Sequence, residues 1–496
     1  MYKKGAFSNN YWVLLLALLF PLLFLGVWDR HDWGDDFAQY LLQAKNVVDG
    51  RAQIDNGLVF PADSEKFAVT AYPVGFPLLL VPVYYLFGTS VKPYFILLSL
   101  TLIVSGLLLF RYYRRDFSWI TALMMSLWFC YNPFVIEWKW QILSDIPFLM
   151  LVYFSLIFFP AKKSEWKWLV IGGIICGFIA SVRIIGWALP LAISASMVFS
   201  KQQVDKENDA STFLSILLPL FIFIGSTVMF FLFLNVILFN IPIREFAGFY
   251  SSAVQQHAPA FLINLDFYRQ MASFCFPLPF GLEPLSWWWI LSALVCWFIK
   301  FIRERKLSEW FFLIYGIVLL FYPYQNGGLR FLIPILPLLI GYTISSLHFV
   351  LTKISIKFSE TLLPLIVAFL FLGNKDFITQ ISQRKNDVIQ GPQDAGSERM
   401  IQFVRDSLPL KSVMVFCKPR ALALYTNHPV TSFYRNATNE KSEERFQETH
   451  VSYLIYPKVS SDNEIYSGDM EAYLNEYEKK YSIVWESNDY RIYKRR

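Results

Sequence analysis

The chain has 496 residues, of which 55% are hydrophobic and only 17% are charged, and its net charge is +6. Soluble domains usually carry about 25% charged residues, so this composition excludes an ordinary soluble enzyme. The basic residues are spread over short loops, which indicates membrane topology and no nucleic-acid partner.

Eleven apolar segments are long enough to predict membrane-spanning helices, since a helix of roughly 20 residues crosses a bilayer. They lie near residues 11–28, 92–110, 118–136, 146–160, 167–182, 184–200, 212–236, 285–300, 309–323, 331–350 and 360–373. The first could pass for a signal peptide. It lacks a convincing small-residue cleavage site, and we interpret it as a retained anchor.

Loop charge predicts the orientation, because lysine and arginine prefer the cytoplasmic side of membrane helices. The basic clusters are Lys3/Lys4, Arg111/Arg114/Arg115, Lys162/Lys163/Lys167, Lys201/Lys206, Lys300/Arg303/Arg305/Lys306 and Lys353/Lys357. If all six face the cytoplasm, the N-terminus lies inside the plasma (inner) membrane and the C-terminus outside. The apolar stretch 72–87 then stays on the outer surface as an interfacial or re-entrant segment, which its three prolines favour.

A change in composition near residue 374 divides the chain into two predicted domains. Residues 1–373 form a transmembrane domain whose first external loop is 29–91, and residues 374–496 form a soluble external domain. An amphipathic helix at 397–407, strands at 413–416 and 451–456, and a terminal hairpin over 481–493 are predicted for the second. The predicted fold is a polytopic α-helical membrane protein of about 11 transmembrane helices, with external juxtamembrane helices and a small C-terminal α/β domain.

The first external loop opens with four aspartates between residues 29 and 36, ending in the adjacent pair Asp35 and Asp36. Ionised groups beside a bilayer are costly and mark functional sites. One of the two could act as a general base with the other as its partner, or both could bind a divalent metal. Alternatively, Asp35 could merely cap the following helix. One aspartate suffices for a cap, so the crowding favours a functional role.

Asp145 lies at the external mouth of a span, in the sequence Ser-Asp-Ile-Pro-Phe of residues 144–148. It could cap that helix, with Pro147 in the first turn, or form a second site carboxylate. Arg183 and Arg330 lie outside, against the positive-inside trend. Either could bind a phosphate through a bidentate contact or simply snorkel to the interface.

The external loop 240–284 contains Arg244 and His257, which are weaker candidates for substrate binding. A lone histidine is usually neither a ligand nor a proton carrier. The sequence contains no Walker-type phosphate loop, no His-Glu-x-x-His zinc pattern and no Gly-x-Ser-x-Gly nucleophile elbow.

Four motifs in this order resemble the C-type membrane glycosyltransferase superfamily, in particular the bacterial group related to protein O-mannosyltransferases and aminoarabinose transferases. They are Asp35-Asp36, where the family often has Asp-Glu; Tyr-Pro-Val-Gly-Phe-Pro at 72–77; residues 144–148; and Arg-Phe-Leu-Ile-Pro-Ile-Leu-Pro at 330–337. Asp36 in place of Glu and Val74 in place of Pro depart from the family pattern.

The resemblance implies an inverting transfer of a sugar from a polyprenyl-phosphate donor to a lipid, glycan or protein acceptor outside the cytoplasm. It implies that Asp35 is the base and that Asp145 orients the acceptor or joins Asp35 around it. Arg183 and Arg330 are candidates to bind the lipid phosphate, and Tyr72 to contact the donor. A divalent metal remains possible. The rival functions are a surface-polysaccharide polymerase or ligase and a transporter of lipid-linked sugars.

Overall fold

The structure is a computed structural model that describes residues 10–62, 70–159, 165–201, 209–246, 260–270, 276, 286–322, 329–375, 379, 391–433, 437–458 and 464–496. The chain forms two compact units. The first comprises Met1–Val27, Phe95–Leu238 and Ala253–Lys385, and the second comprises Trp28–Tyr94, Phe239–Ser252 and Asn386–Arg496. The boundary predicted at residue 373, between membrane and external parts, stays a prediction.

Helices make up most of the described chain. In chain order they are α1 (Asn10–Leu19), α2 (Asp36–Asp49), α3 (Gly75–Phe87), α4 (Lys92–Tyr113), α5 (Trp119–Cys130), α6 (Pro133–Lys139), α7 (Asp145–Phe158), α8 (Trp166–Val182), α9 (Ala188–Lys201), α10 (Asp209–Leu232), α11 (Ala260–Gln270), α12 (Ser286–Arg303), α13 (Leu307–Leu320), α14 (Leu336–Ile354), α15 (Ile356–Leu372), α16 (Ala395–Ser407), α17 (Pro419–Thr426), α18 (Asn439–Glu448) and α19 (Glu464–Glu476). The strands are β1 (Val413–Val415), β2 (Val430–Thr431), β3 (Val451–Pro457), β4 (Tyr481–Glu486) and β5 (Tyr490–Arg495).

Each of the eleven predicted spans coincides with an apolar helix of the described chain. Among the described residues, four helical segments are long and apolar enough to cross a membrane: α4, α12, α14 and Leu217–Leu238, which is the second part of α10 with the π-helical turn Phe233–Leu238 that follows it. A fifth span would be α5 with α6, which are bent by 52°. The other six coincide with helices of 10–17 residues. Because straight spans need roughly 20 residues, the number of spans stays a prediction.

Two glycines let α8 pack closely on α10 in the first unit. Gly173 and Gly177 are four residues apart and therefore lie on the same face of α8. A Cβ atom at Gly173 would lie 2.5 Å from the Cβ of Ser226 and 2.7 Å from the Phe223 carbonyl oxygen. One at Gly177 would lie 2.7 Å from the Thr227 carbonyl oxygen. This small-residue stripe matches the spacing that brings membrane helices together.

The second unit contains a five-stranded sheet in the order β2-β1-β3-β5-β4. β1 runs parallel to β2 and β3, while β5 runs antiparallel to β3 and β4. Its core is apolar and includes Val415, Phe433, Phe446, Leu454 and Tyr473. The amphipathic helix, both single strands and the terminal hairpin predicted for this region are confirmed.

Part of the first external loop pairs with this sheet. Leu58 forms a parallel bridge with Val430, because Val59 N–H donates to the Val430 carbonyl at 2.9 Å and Val430 N–H donates to the Gly57 carbonyl at 2.8 Å. α2 packs against both α3 and α17. Loop residues that the sequence assigned to the membrane domain therefore fold with the C-terminal residues in one compact unit.

The close packing of α8 on α10 predicts that alanine at two glycine positions will affect the stability of the protein differently. Gly173→Ala should lower the free energy of unfolding by about 1–3 kcal/mol, because the added methyl group must displace the backbone of α10. In Gly225→Ala, on α10 itself, no described atom lies within 4 Å of the added Cβ. That variant should be neutral or more stable by up to about 1 kcal/mol. Thermal unfolding in detergent measures both, and equal stabilities would contradict the packing argument.

Candidate functional site

Asp35 immediately precedes α2, but its side chain makes no capping hydrogen bond to that helix among the described residues. Its Oδ1 instead accepts a hydrogen bond from the backbone N–H of Arg420 at 3.1 Å. Its Oδ2 lies 3.4 Å from Nη1 of the Arg420 guanidinium. Arg420 is in the first turn of α17, where free backbone N–H groups and the helix dipole favour an anion. The carboxylate that the sequence offered as a cap for α2 therefore binds the start of α17.

Asp36 and Tyr72 complete this group, which we call the Asp35 cluster (Asp35, Asp36, Tyr72 and Arg420). The Tyr72 hydroxyl donates to Asp36 Oδ1 at 2.6 Å and accepts from Arg420 Nη1 at 3.1 Å. The same Nη1 lies 3.7 Å from Asp36 Oδ1. The Arg420 guanidinium carbon is 5.3 Å from the centroid of the Tyr72 ring, within the range of a cation–π contact. One guanidinium thus contacts both carboxylates and the phenol.

Two buried amides of α2 fix the backbone that carries Tyr72. Gln43 donates from Nε2 to the Tyr72 carbonyl at 2.8 Å and accepts from the Tyr72 N–H at 2.9 Å. Gln39 donates to the Thr70 carbonyl at 3.0 Å, and Glu245 accepts from the Thr70 N–H at 2.8 Å. Both glutamines are fully buried, and buried polar groups with satisfied bonds hold a single geometry.

The electrostatic balance leaves Asp35 a weaker acid than a free aspartate. Burial raises its pKa above the usual 3.8, and the negative charge of Asp36 adds to this effect. The guanidinium of Arg420, the ammonium of Lys418 and the N–H bond from Arg420 oppose the shift without reversing it. The side chain keeps 25% of its surface exposed. A partly accessible carboxylate with a raised pKa suits a general base.

A second group, the Asp145 cluster, lies in the first unit and consists of Asp145, Arg183 and Arg330 around Phe331. Asp145 is in the first turn of α7, and its Oδ1 lies 2.5 Å from Arg183 Nη1. The Arg183 guanidinium carbon is 4.7 Å from the Phe331 ring centroid. That of Arg330 is 5.6 Å from the same centroid. Asp145 is 2% exposed and Arg183 10%, so this ion pair is removed from bulk water.

The structure thus brings Asp35, Asp36 and Tyr72 together in the second unit, and Asp145, Arg183 and Arg330 together in the first. The Arg244 side chain is 81% exposed, and its Nε lies 3.8 Å from Oε1 of the neighbouring Glu245. His257 lies outside the described residues.

A divalent metal between Asp35 and Asp36 does not fit the residues present. Arg420 Nη1 lies 3.4 Å from Asp35 and 3.7 Å from Asp36, where a bridging cation would bind. Within the described ranges, no group of three or more His, Cys, Asp or Glu side chains is arranged to hold a metal ion.

Arg420 belongs to none of the motifs that predicted the site. A signal for it was present, because Lys418-Pro419-Arg420 lies one residue beyond the predicted strand 413–416, and loops at strand ends often carry functional groups. Nothing in the sequence related that loop to residues 35–36, which are almost 400 positions earlier.

The raised pKa of Asp35 predicts a pH-dependent stability difference. Folding disfavours the ionised form, so this group costs stability progressively as the pH rises from about 3.8 through the raised value. Asparagine mimics the protonated form and can still accept from the Arg420 N–H. Asp35→Asn should therefore have a higher Tm than wild type at neutral pH, with the difference shrinking as the pH falls to about 3.8.

Thermal scans across this pH range measure the difference. Asp469→Asn, at an exposed position of the same unit, controls for the amide substitution and should shift Tm little at any pH. A Tm difference for Asp35→Asn that is negative at neutral pH, or constant with pH, would contradict the argument.

No family model and no curated protein matches this sequence. Solved structures of two proteins are among those that resemble the chain in fold. ArnT from Cupriavidus metallidurans, an aminoarabinose transferase, has a TM-score of 0.61 in the apo state at 13% identity. Bound to undecaprenyl phosphate it has a TM-score of 0.60 at 12% identity. Both alignments cover 98% of this chain and 98% of ArnT.

The apo oligosaccharyltransferase of Archaeoglobus fulgidus has a TM-score of 0.57 at 13% identity, covering 97% of this chain and 73% of that one. Both proteins belong to the C-type glycosyltransferase superfamily. The alignments span nearly the whole chain, and together with the apolar helices they indicate an integral membrane protein. The likeness that the motifs predicted is confirmed at the level of the fold: this chain shares its fold with ArnT and with the archaeal oligosaccharyltransferase.

Proposed function

We propose that this protein is an inverting glycosyltransferase that moves a sugar from a polyprenyl-phosphate donor to an acceptor hydroxyl on the extracytoplasmic side of the plasma membrane. The observation that carries the proposal is the Asp35 cluster. The carboxylate of Asp35, at the predicted external edge of the first span, binds Arg420 instead of capping α2, and its pKa is raised. The fold likeness to an enzyme bound to undecaprenyl phosphate supports this donor class.

In the proposed reaction Asp35 accepts the proton of the acceptor hydroxyl as that oxygen attacks the anomeric carbon. The new bond forms between the acceptor oxygen and the anomeric carbon, while the bond from that carbon to the phosphate oxygen breaks. The lipid phosphate leaves with the electron pair. A single displacement inverts the anomeric centre. Asp36 holds Tyr72 through its hydroxyl, and Arg420 keeps both carboxylates in place.

The leaving phosphate needs cations, because negative charge develops on it in the transition state. We propose Arg183 and Arg330 for this role. The sequence suggested that Asp145 orients the acceptor, but its carboxylate contacts Arg183 at 2.5 Å. We therefore propose that Asp145 fixes the direction in which the Arg183 guanidinium presents its remaining donors.

The proposal predicts that Asp35→Asn abolishes transfer of labelled sugar from polyprenyl-phosphate donors in membranes. The loss should be about 10²–10⁴-fold, the usual contribution of a general base. The wild-type rate should rise with pH through a pKa above 3.8, since the ionised carboxylate is the base. Asp469→Asn should transfer at the wild-type rate. Equal donor consumption by wild type and Asp35→Asn at equal abundance would exclude Asp35 as the base.

A double substitution separates phosphate binding from folding at the Asp145 cluster. Arg183→Gln alone leaves a buried carboxylate without its cation and should destabilise the protein by about 3–5 kcal/mol. Adding Asp145→Asn removes the unpaired charge and should restore the Tm. We expect the double variant to show a KM for the donor about 10- to 100-fold higher, because a charge-assisted hydrogen bond to phosphate is lost.

Arg269→Gln is the matched control. Arg269 is exposed in the same unit and pairs with Asp266 on its own helix, so its loss should leave the KM unchanged. A double variant with restored Tm and wild-type KM would show that Arg183 does not bind the phosphate.

A further inference from the structure

Two cavities adjoin each other in the first unit, near the end of α7 opposite Asp145. The first, the polar cavity, has a volume of about 460 Å³ and is lined by Lys300, Lys306 and Glu309 among other residues. The second, the apolar cavity, has a volume of about 400 Å³. Phe159, Ser196 and Leu307 line both. The proposed glycosyl transfer uses neither cavity.

The polar cavity has charged groups of both signs at its exposed side and a carboxylate at its buried side. Lys306 pairs there with Glu304, and Lys300 with Asp116. Lys306 is 58% exposed and Lys300 23%, whereas Glu309 is only 2% exposed. The Lys300 ammonium lies 3.1 Å from the Ser345 hydroxyl and 3.9 Å from Asp116. Both lysines lie close enough to interact electrostatically with Glu309. A ligand entering here meets the two lysines with their carboxylate partners before it reaches the buried carboxylate of Glu309.

Glu309 is incompletely bonded. Its Oε1 accepts from the Ser308 hydroxyl at 3.1 Å and from the Tyr342 hydroxyl at 3.4 Å. Its Oε2 is buried and has no hydrogen-bond partner among the described residues. Buried polar atoms in native proteins nearly always have a partner, and leaving one unpaired is costly. Oε2 of Glu309 is therefore suited to accept a hydrogen bond from a ligand.

The apolar cavity is lined by aromatic and aliphatic side chains that also face outward. Phe154, Phe158 and Trp168 are 38%, 46% and 43% exposed in a chain that spans a membrane. Such a surface beside a charged cavity fits a hydrocarbon chain attached to a polar headgroup.

We propose that the two cavities together bind one membrane phospholipid whose headgroup ends in a primary ammonium. The phosphate contacts Lys300 and Lys306, the ammonium donates to Oε2 of Glu309, and one acyl chain occupies the apolar cavity. A phosphocholine headgroup has the same charges but no N–H donor, so it leaves Oε2 unpaired. The site discriminates by that donor, and the proposal does not rest on the glycosyl transfer reaction.

Native mass spectrometry of the delipidated full-length protein in detergent tests this. Dioleoyl phosphatidylethanolamine, phosphatidylcholine and phosphatidylglycerol are added separately at equal concentration. We expect phosphatidylethanolamine to bind about tenfold more tightly than phosphatidylcholine, the worth of one hydrogen bond to a charged group. Glu309→Gln should reduce this preference to near unity. Glu398→Gln, at an exposed position of the second unit, should retain it.

Substituting both Lys300 and Lys306 with Gln should weaken the binding of all three lipids, because each carries the phosphate. Equal binding of phosphatidylethanolamine and phosphatidylcholine by wild type would overturn the proposal without any variant. A preference that persists in Glu309→Gln, confirmed as folded by circular dichroism and gel filtration, would also overturn it. Phosphatidylglycerol binding as tightly as phosphatidylethanolamine would show that a hydroxyl suffices and would overturn the ammonium assignment.

Discussion

The contact of one guanidinium with two adjacent carboxylates determines the arrangement of the Asp35 cluster. Asp35 and Asp36 are neighbours in the chain and repel each other when both are ionised. Arg420 lies within 3.4 and 3.7 Å of them and also donates to the Tyr72 hydroxyl. Without a cation there, two half-buried negative charges would be costly to hold side by side. The start of α17 is therefore part of the site itself.

The backbone around the cluster is held by hydrogen bonds from side chains. Residues 70–72 bond to the buried amides of Gln39 and Gln43, so this segment is attached to one face of α2 without joining a sheet. A helix face that carries two fully buried glutamines is unfavourable unless their groups are satisfied. These hydrogen bonds hold residues 70–72 along α2 and so place Tyr72 beside Asp36.

Both clusters pair a carboxylate with an arginine, but the two pairs differ in exposure. Asp145 and Arg183 are almost completely buried. Removing one partner of such an ion pair destabilises the folded protein by more than the intact pair stabilises it. Asp35 and Asp36 keep 25% and 31% of their surfaces exposed. The partly exposed carboxylates Asp35 and Asp36 can exchange a proton with a ligand. The buried ion pair of Asp145 and Arg183 is suited to holding the arginine in one orientation.

Local pattern in the sequence determined the apolar helices, the amphipathic helix at 397–407, four of the five strands of the C-terminal sheet (β1, β3, β4 and β5) and the acidic pair at 35–36. These features follow from hydrophobic periodicity and from the cost of charge near a bilayer, which neighbouring residues reveal. The tertiary structure alone decided that Arg420 binds Asp35, that residues 57–59 join the C-terminal sheet and that Asp145 pairs with Arg183. These contacts join residues that are far apart in the chain. A pattern of neighbouring residues carries no information on which distant residue each of them will contact.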